Sequence, residues 1–238
     1  MRRTKNARVR ASYTLQFASM TGASTTTASA LIAAGVPNLR STFPTNADQR
    51  HGLSLTVDYR FADGKKYDGP VIKRKDSDKA PIQLLANTGI ALTVKGGSGT
   101  PYTASRTVSS PISGGNNLLQ GTYNGSRKPA SFRFDVRVNK EIYFTLGGNK
   151  EEGKSGREAF MDVFLVVENI LNSKNITGVY AATGNPNDDG YLTAPEWQRE
   201  INSQIDPQAF IQMYQLYVNS GGNYSTPRQI KVGLSFNF

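Results

Sequence analysis

The feature that most constrains this chain is the strict two-residue alternation of its last segment. Ile230, Val232, Leu234, Phe236 and Phe238 fall on one face, and Gln229, Lys231, Gly233, Ser235 and Asn237 on the other. Period two is the repeat of a β-strand, and a strand patterned this way separates an apolar medium from a polar one. Five further segments alternate in the same manner. Val9, Ala11, Tyr13, Leu15 and Phe17 oppose Arg8, Arg10, Ser12, Thr14 and Gln16, and Leu53, Leu55, Val57, Tyr59 and Phe61 oppose Ser54, Thr56, Asp58 and Arg60. A looser third segment sets Ile82, Leu84, Ile90, Leu92 and Val94 against Gln83, Asn87, Thr93 and Lys95. The fourth, from Phe132 to Leu146, sets its apolar residues against Arg133, Asp135, Arg137, Asn139, Glu141 and Thr145. In the fifth, Met161, Val163, Leu165 and Val167 oppose Asp162, Phe164, Val166 and Glu168.

Length separates two architectures that share this pattern. Strands of soluble sheets average about 5–6 residues, whereas strands that cross a bilayer need roughly 9–11. Most of the alternating segments hold the pattern over the longer span. The connections give a second criterion, because residues 19–49, 96–130 and 172–226 are long while 62–81 and 148–157 are shorter. Barrels of the outer membrane place long loops at one rim and short turns at the other, and this order puts the C-terminus at the short-turn rim. The expected fold is therefore all-β: an antiparallel transmembrane β-barrel segment of about six strands from a larger barrel, with long extracellular loops carrying short helices. Six strands fall below the smallest barrels, which have about eight, and open edges are not tolerated in lipid. The lipid bilayer and the remainder of the barrel, in the same or another chain, are thus expected partners.

Composition narrows the function. Absence of cysteine removes disulfides and thiolate metal sites, and a single histidine, His51, removes histidine-clustered centres. The net charge of +10 is divided among the N-terminus (Arg2, Arg3, Lys5, Arg8, Arg10), the Lys65–Lys79 loop with its interleaved aspartates, and strand faces. That distribution fits solvated or lumen-lining charge rather than a nucleic-acid groove. No triad spacing and no carboxylate pair recommends an enzyme. The N-terminus has no apolar signal core, so an export signal is expected to lie elsewhere and the chain to be a fragment or split product.

Three local patterns carry candidate sites. Asn185, Asn187, Asp189 and Glu196 occupy positions 1, 3, 5 and 12 of a stretch with Gly190 at position 6, the spacing of a calcium-binding EF-hand loop. The same residues are also read as a turn followed by a capping box, Thr193-Ala194-Pro195-Glu196, and Gly178-Val179-Tyr180 before them reads as strand. Arg133, Asp135 and Arg137 are lumen-facing candidates, most simply as part of a cross-strand charge ladder. Asp206-Pro207 opens a helix whose Phe210, Met213, Tyr214 and Tyr217 share one face, packed against the rim or a plug. His51 is placed at a rim.

The order of several short stretches resembles a known family. They include Ala11-Ser12-Tyr13-Thr14-Leu15-Gln16, Pro37-Asn38-Leu39-Arg40, Asp48-Gln49-Arg50-His51, Val57-Asp58-Tyr59-Arg60-Phe61 and Asn87-Thr88-Gly89. Further along come Gly97-Ser98-Gly99-Thr100-Pro101-Tyr102-Thr103, Asn124-Gly125-Ser126-Arg127, Glu168-Asn169-Ile170-Leu171-Asn172, Asp188-Asp189-Gly190-Tyr191-Leu192 and Pro227-Arg228-Gln229-Ile230. Together they resemble the C-terminal barrel region of TonB-dependent outer-membrane receptors of the Bacteroidetes type. The resemblance implies a barrel of about 22 strands in a Gram-negative outer membrane. It also implies an upstream plug and TonB contact outside this sequence, and a surface lipoprotein partner. It makes Phe236 and Phe238 the terminal aromatic signal read by the barrel-assembly machinery. Import of a glycan, peptide or siderophore is the implied activity. A scaffold, adhesin or secretion-complex subunit is the alternative role for such a barrel piece.

Overall fold

The computed structural model describes residues 6–21, 42–72, 81–115, 117–146, 157–219 and 221–237. All six alternating segments form strands: β1 (Ala7–Leu15), β2 (His51–Arg60), β3 (Thr88–Gly97), β4 (Ser131–Leu146), β5 (Arg157–Glu168) and β6 (Gln229–Asn237). They make one six-stranded sheet in sequence order, each antiparallel to its neighbours. Register follows the apolar pattern, because a one-residue slip would turn every apolar side chain to the wrong face. Val9, Val57, Leu92, Val136, Val167 and Ile230 stand in one line across all six strands. Arg8, Asp58, Ala91, Arg137, Val166 and Lys231 stand in a line on the opposite face. Within the described residues, β1 and β6 are the edges of this sheet and the sheet does not close on itself.

The third strand is shorter than its sequence pattern. Asn87 takes a left-handed conformation (φ 56°), which suits asparagine and stops an extended chain. Ile82 and Gln83 instead pair with Ile72 and Val71 in a two-residue ladder, so Ile82 and Leu84 do not join the apolar face of β3. The connection from β2 to β3 consequently runs from residue 61 to 87. Asn169 and Asn172 repeat the device at the end of β5, with φ of 54° and 51°.

The strand directions gather the strand ends that flank 16–50, 98–130 and 169–228 at one rim and those that flank 61–87 and 147–156 at the other. The core of the described chain lies in the loops of the first rim, not on the sheet. Tyr191, Ile201, Tyr214 and Val218 are buried together, with Val108, Tyr180, Leu192, Trp197, Phe210 and Ile211 packed around them. This cap is built largely from a short 3-10 turn (Pro195–Trp197) and two helices, α1 (Gln198–Asn202) and α2 (Pro207–Val218). Asp206 caps α2 by accepting from the N–H groups of Gln208 (3.1 Å) and Ala209 (3.0 Å).

Three local expectations are corrected here. The first helix of the cap has no capping box: its N-cap is Ala194, with no side-chain cap bond, and the Thr193 hydroxyl donates to the Gly190 carbonyl at 3.2 Å. Gly178-Val179-Tyr180 is not a strand; the nearby sheet-like contact is a single bridge between Ile176 and Tyr224. On α2 the buried pair is Tyr214 and Val218, with Phe210 and Ile211 beside them, while Met213 and Tyr217 are exposed. The helix is docked by a face rotated from the one that spacing suggests, because Tyr191 and Ile201 of its own loop supply the packing partner.

Candidate functional site

The two faces of the sheet differ in chemical character. Its apolar face is uncovered: Ile230, Val232 and Leu234 are 66%, 73% and 69% exposed, and Val9, Leu53, Ile90, Phe132 and Leu165 are exposed with them. Isolated exposed apolar residues are ordinary, but a contiguous sheet face of them marks contact with another apolar body. Aromatic residues border this face at both ends. Toward the cap, the Tyr13 hydroxyl and His51 Nδ1 are hydrogen-bonded at 2.8 Å, and the Arg50 guanidinium stands 5.4 Å from the Phe17 ring centre. His51 thus sits at the cap end of the sheet, where β2 begins. At the other end Tyr59 meets Phe61 (4.8 Å between centroids) and Phe144 meets Phe236 (5.3 Å). Phe238 lies outside the described residues.

The opposite face is a charge network. Arg133, Asp135 and Arg137 all lie on it, as their spacing on one strand requires. Arg133 Nε donates to Asp135 Oδ1 at 2.7 Å and its Nη2 lies 3.3 Å from Glu168, which also pairs with Lys231 at 2.9 Å. The ladder therefore crosses from β4 through β5 to β6, while the contact of Arg133 with Asp135 runs along one strand. Arg137 approaches Asp162 (3.9 Å) and lies 4.9 Å above the ring of Phe164. Phe164 is apolar on the polar face for a reason visible only in the register. It covers Gly233 of the neighbouring strand, where an added Cβ would meet the ring at 2.2 Å. Phe132 covers Gly96 in the same way on the other face.

At the cap end of the sheet lies a cleft of about 400 Å³. Lys95, Lys128 and Arg133 line it, with Gln49 and Asn175, and among the described residues no acidic side chain lines it. Two glycines set its shape. The Gln49 amide occupies the place of a side chain at Gly97, donating to the Ser98 carbonyl at 3.0 Å, and the Lys128 carbonyl oxygen occupies that place at Gly99. The Asn175 side chain bonds both backbone groups of Phe132, donating to its carbonyl at 2.7 Å and accepting from its N–H at 2.9 Å. Comparison with known family models, curated proteins and solved structures returns no match. The reading of this chain accordingly rests on its own geometry.

The calcium-like loop is closed by its own hydrogen bonds. Asn185 Oδ1 accepts from the Asn187 N–H (2.9 Å), Asp188 Oδ1 from Gly190 (2.8 Å) and Asp189 Oδ1 from Tyr191 (3.1 Å). The second oxygen of Asp189 accepts from the Tyr214 hydroxyl, and Glu196 is exposed in the first turn of the 3-10 helix. These oxygens serve a turn and a packing contact. Among the described residues no group of three or more His, Cys, Asp or Glu side chains is placed to hold a metal.

Several residues that organise the cap were not singled out by spacing. Asp48, 2% exposed, forms an ion pair with Arg127 and accepts from the Ala18 N–H at 2.9 Å, joining two loops distant in sequence. Asn124, also buried, donates to the Pro44 carbonyl and to Asn46, each at 2.8 Å. Glu200 accepts from the hydroxyls of Ser110, Ser113 and Tyr191 and so ties α1 to the 98–130 loop. No buried side-chain polar atom among the described residues lacks a partner.

These contacts make the cap sensitive to pH at both extremes. The Ala18 N–H and then Arg127 hold the Asp48 carboxyl below its ordinary 3.8, and the three hydroxyls hold Glu200 below 4.5. Groups with depressed folded values stabilise above their ordinary pKa, and that contribution is lost as pH falls through the folded values. Burial, followed by the bond to Glu200, pushes the Tyr191 hydroxyl from 10.0 up to about 12, and burial with the Asp189 bond raises Tyr214 further. A raised tyrosine stabilises fully below 10.0 and loses its contribution as pH rises through the folded value. The single tryptophan, Trp197, donates to the Val108 carbonyl at 2.9 Å inside the cap. Its fluorescence is expected to stay constant between pH 5 and 9 and to change below about pH 4 and above about pH 10. A midpoint near neutrality would contradict this assignment.

Proposed function

We propose that the sheet is part of a closed transmembrane wall in an outer membrane, its apolar face against lipid and its polar face toward a water-filled interior. We propose further that this wall belongs to a TonB-dependent receptor that imports a nutrient of the glycan, peptide or siderophore class. The observation that carries the wall reading is the uncovered apolar face bordered at both ends by aromatic residues, while the receptor assignment rests on the sequence resemblance alone. Barrels in bilayers have such a band, about 25 Å tall, between aromatic girdles. A water-soluble sheet would cover an apolar face of this extent with a second layer. The opposite face supports a wet interior, since its charges are paired across strands and remain partly exposed. The uncovered edges of β1 and β6 call for further strands, because lipid leaves no partner for open backbone groups. Among the described residues no helix is long and apolar enough to cross a membrane, so any crossing belongs to the strands.

The mixed cleft at the rim favours transport over the scaffold alternative, since a purely structural wall needs no basic recess on its inner face. The chain contains no cysteine, which allows a direct test of placement. Ile205, fully exposed in the cap, and Lys65, exposed at the opposite rim, are each replaced by cysteine in the expressed protein. In intact cells a membrane-impermeant maleimide is expected to label position 205 and to reach position 65 only after the outer membrane is permeabilised. Equal labelling of both would remove the transmembrane reading. Replacing Phe236 and Phe238 by serine together is expected to lower the yield of membrane-assembled protein, and normal assembly would count against their role as the terminal signal.

A further inference from the structure

The cleft beneath the cap has a charge character that the import reading leaves open. Lys95, Lys128 and Arg133 converge on it, with no lining carboxylate among the described residues. The two acids that balance this cluster lie behind Arg133: Asp135 holds Nε and Glu168 approaches Nη2. They orient the guanidinium from the sheet side, and a guanidinium has further donors to offer. Lys128 gives one of its three protons to the Thr177 carbonyl at 2.7 Å and keeps two. Lys95 is exposed, with Asp135 as its neighbouring charge. The glycines at 97 and 99 permit this convergence, because side chains there would displace Gln49 and the Lys128 backbone. A recess of this volume falls in the range of small-ligand sites, roughly 300–1,000 Å³.

We propose that this cleft binds carboxylate-bearing ligands, with Arg133 as the oriented fork and Lys95 and Lys128 as flanking point charges, and tetraglutamate serves as the probe. The assignment rests on the import reading for its biological role but not for its test. The detergent-solubilised full-length protein is titrated with fluorescent tetraglutamate and, separately, with tetraglutamine. Tetraglutamate is expected to bind at least about tenfold more tightly at low salt, with the preference shrinking as ionic strength rises. Lys95→Gln, on an exposed side chain beside Asp135, is expected to weaken tetraglutamate several-fold and leave tetraglutamine unchanged. The double variant Lys95→Gln/Lys128→Gln is expected to remove most of the preference, with Trp197 fluorescence unchanged as evidence of an intact cap. Equal binding of the two peptides, or a preference that survives the double variant, overturns the proposal. Correct cysteine labelling combined with either result would leave the wall reading standing and discard only the anion assignment. Mislabelling with an intact tetraglutamate preference would do the reverse.

Discussion

Leu165→Arg is expected to abolish membrane assembly while leaving synthesis of the chain unaffected. Leu165 lies on the apolar face of an interior strand, in line with Tyr59, Ile90, Val138 and Val232. In the proposed wall this line faces hydrocarbon. An arginine near the bilayer midplane costs about 2–4 kcal/mol in barrels of this kind. In water the same position, 38% exposed, would accept arginine at a cost within about 0.5 kcal/mol. The two environments thus differ by several kilocalories in their response to one substitution. Thr93→Lys supplies the control, because Thr93 pairs with Asp135 on the charged face, where another cation finds a partner. The fraction of folded protein in outer-membrane preparations, read by electrophoresis without boiling, separates the cases. Loss with Leu165→Arg and retention with Thr93→Lys is the expected result. Retention with both would mean that the apolar face does not meet lipid.

Tyr191→Ala is expected to dissolve the cap and spare the sheet. Tyr191 is fully buried, its ring centre 5.0 Å from Tyr214 and 6.3 Å from both Trp197 and Phe210, and its hydroxyl donates to Glu200 at 2.6 Å. Truncating a buried aromatic to alanine costs on the order of 3–5 kcal/mol, from lost burial and from the cavity left behind. The buried cluster of the cap is small, so a loss of that size is a large share of what holds the loops together. Tyr191→Phe keeps the ring and removes only the hydroxyl, at about 1 kcal/mol. Trp197 fluorescence and limited proteolysis are expected to report an exposed, cleavable cap in the alanine variant and a near-native cap in the phenylalanine variant. Membrane assembly is expected to persist in both, because strand pairing involves none of these side chains. Joint loss of cap and membrane assembly in the alanine variant would show that the sheet depends on the cap.

The strands were legible because each carries its own environment in a period of two. Val136, paired with Leu92 and Val167, has apolar neighbours on both sides, so the apolar pattern and the register select the same arrangement. The third strand was read too long because Ile82 and Leu84 keep the alternation, while the left-handed turn at Asn87 overrides it. The α2 face was misplaced for a related reason. Phe210, Met213, Tyr214, Tyr217 and Val218 are all apolar or aromatic, and periodicity cannot tell which of them Tyr191 will meet. Arg133, Asp135 and Arg137 were visible as a polar-face group, but the cleft was not. Gln49, Lys95, Lys128 and Asn175 belong to four separate segments that meet only once the strands are paired.

The amino-acid sequence by itself determined the six strands, their two unlike faces, the rim at which long connections gather, and the lack of thiolate or multi-histidine chemistry. Those properties depend on residues one or two positions apart, or on composition, and need no knowledge of the fold. Tertiary structure alone decided that the buried core lies in the cap, that Asp48 meets Arg127, that Glu200 gathers three hydroxyls, and that phenylalanines shield glycines on both faces. The contacts of Asp48 with Arg127, of Glu200 with Ser110 and Ser113, and of the phenylalanines with the glycines join residues far apart in sequence, and their energies appear only after the entropic cost of bringing them together has been met.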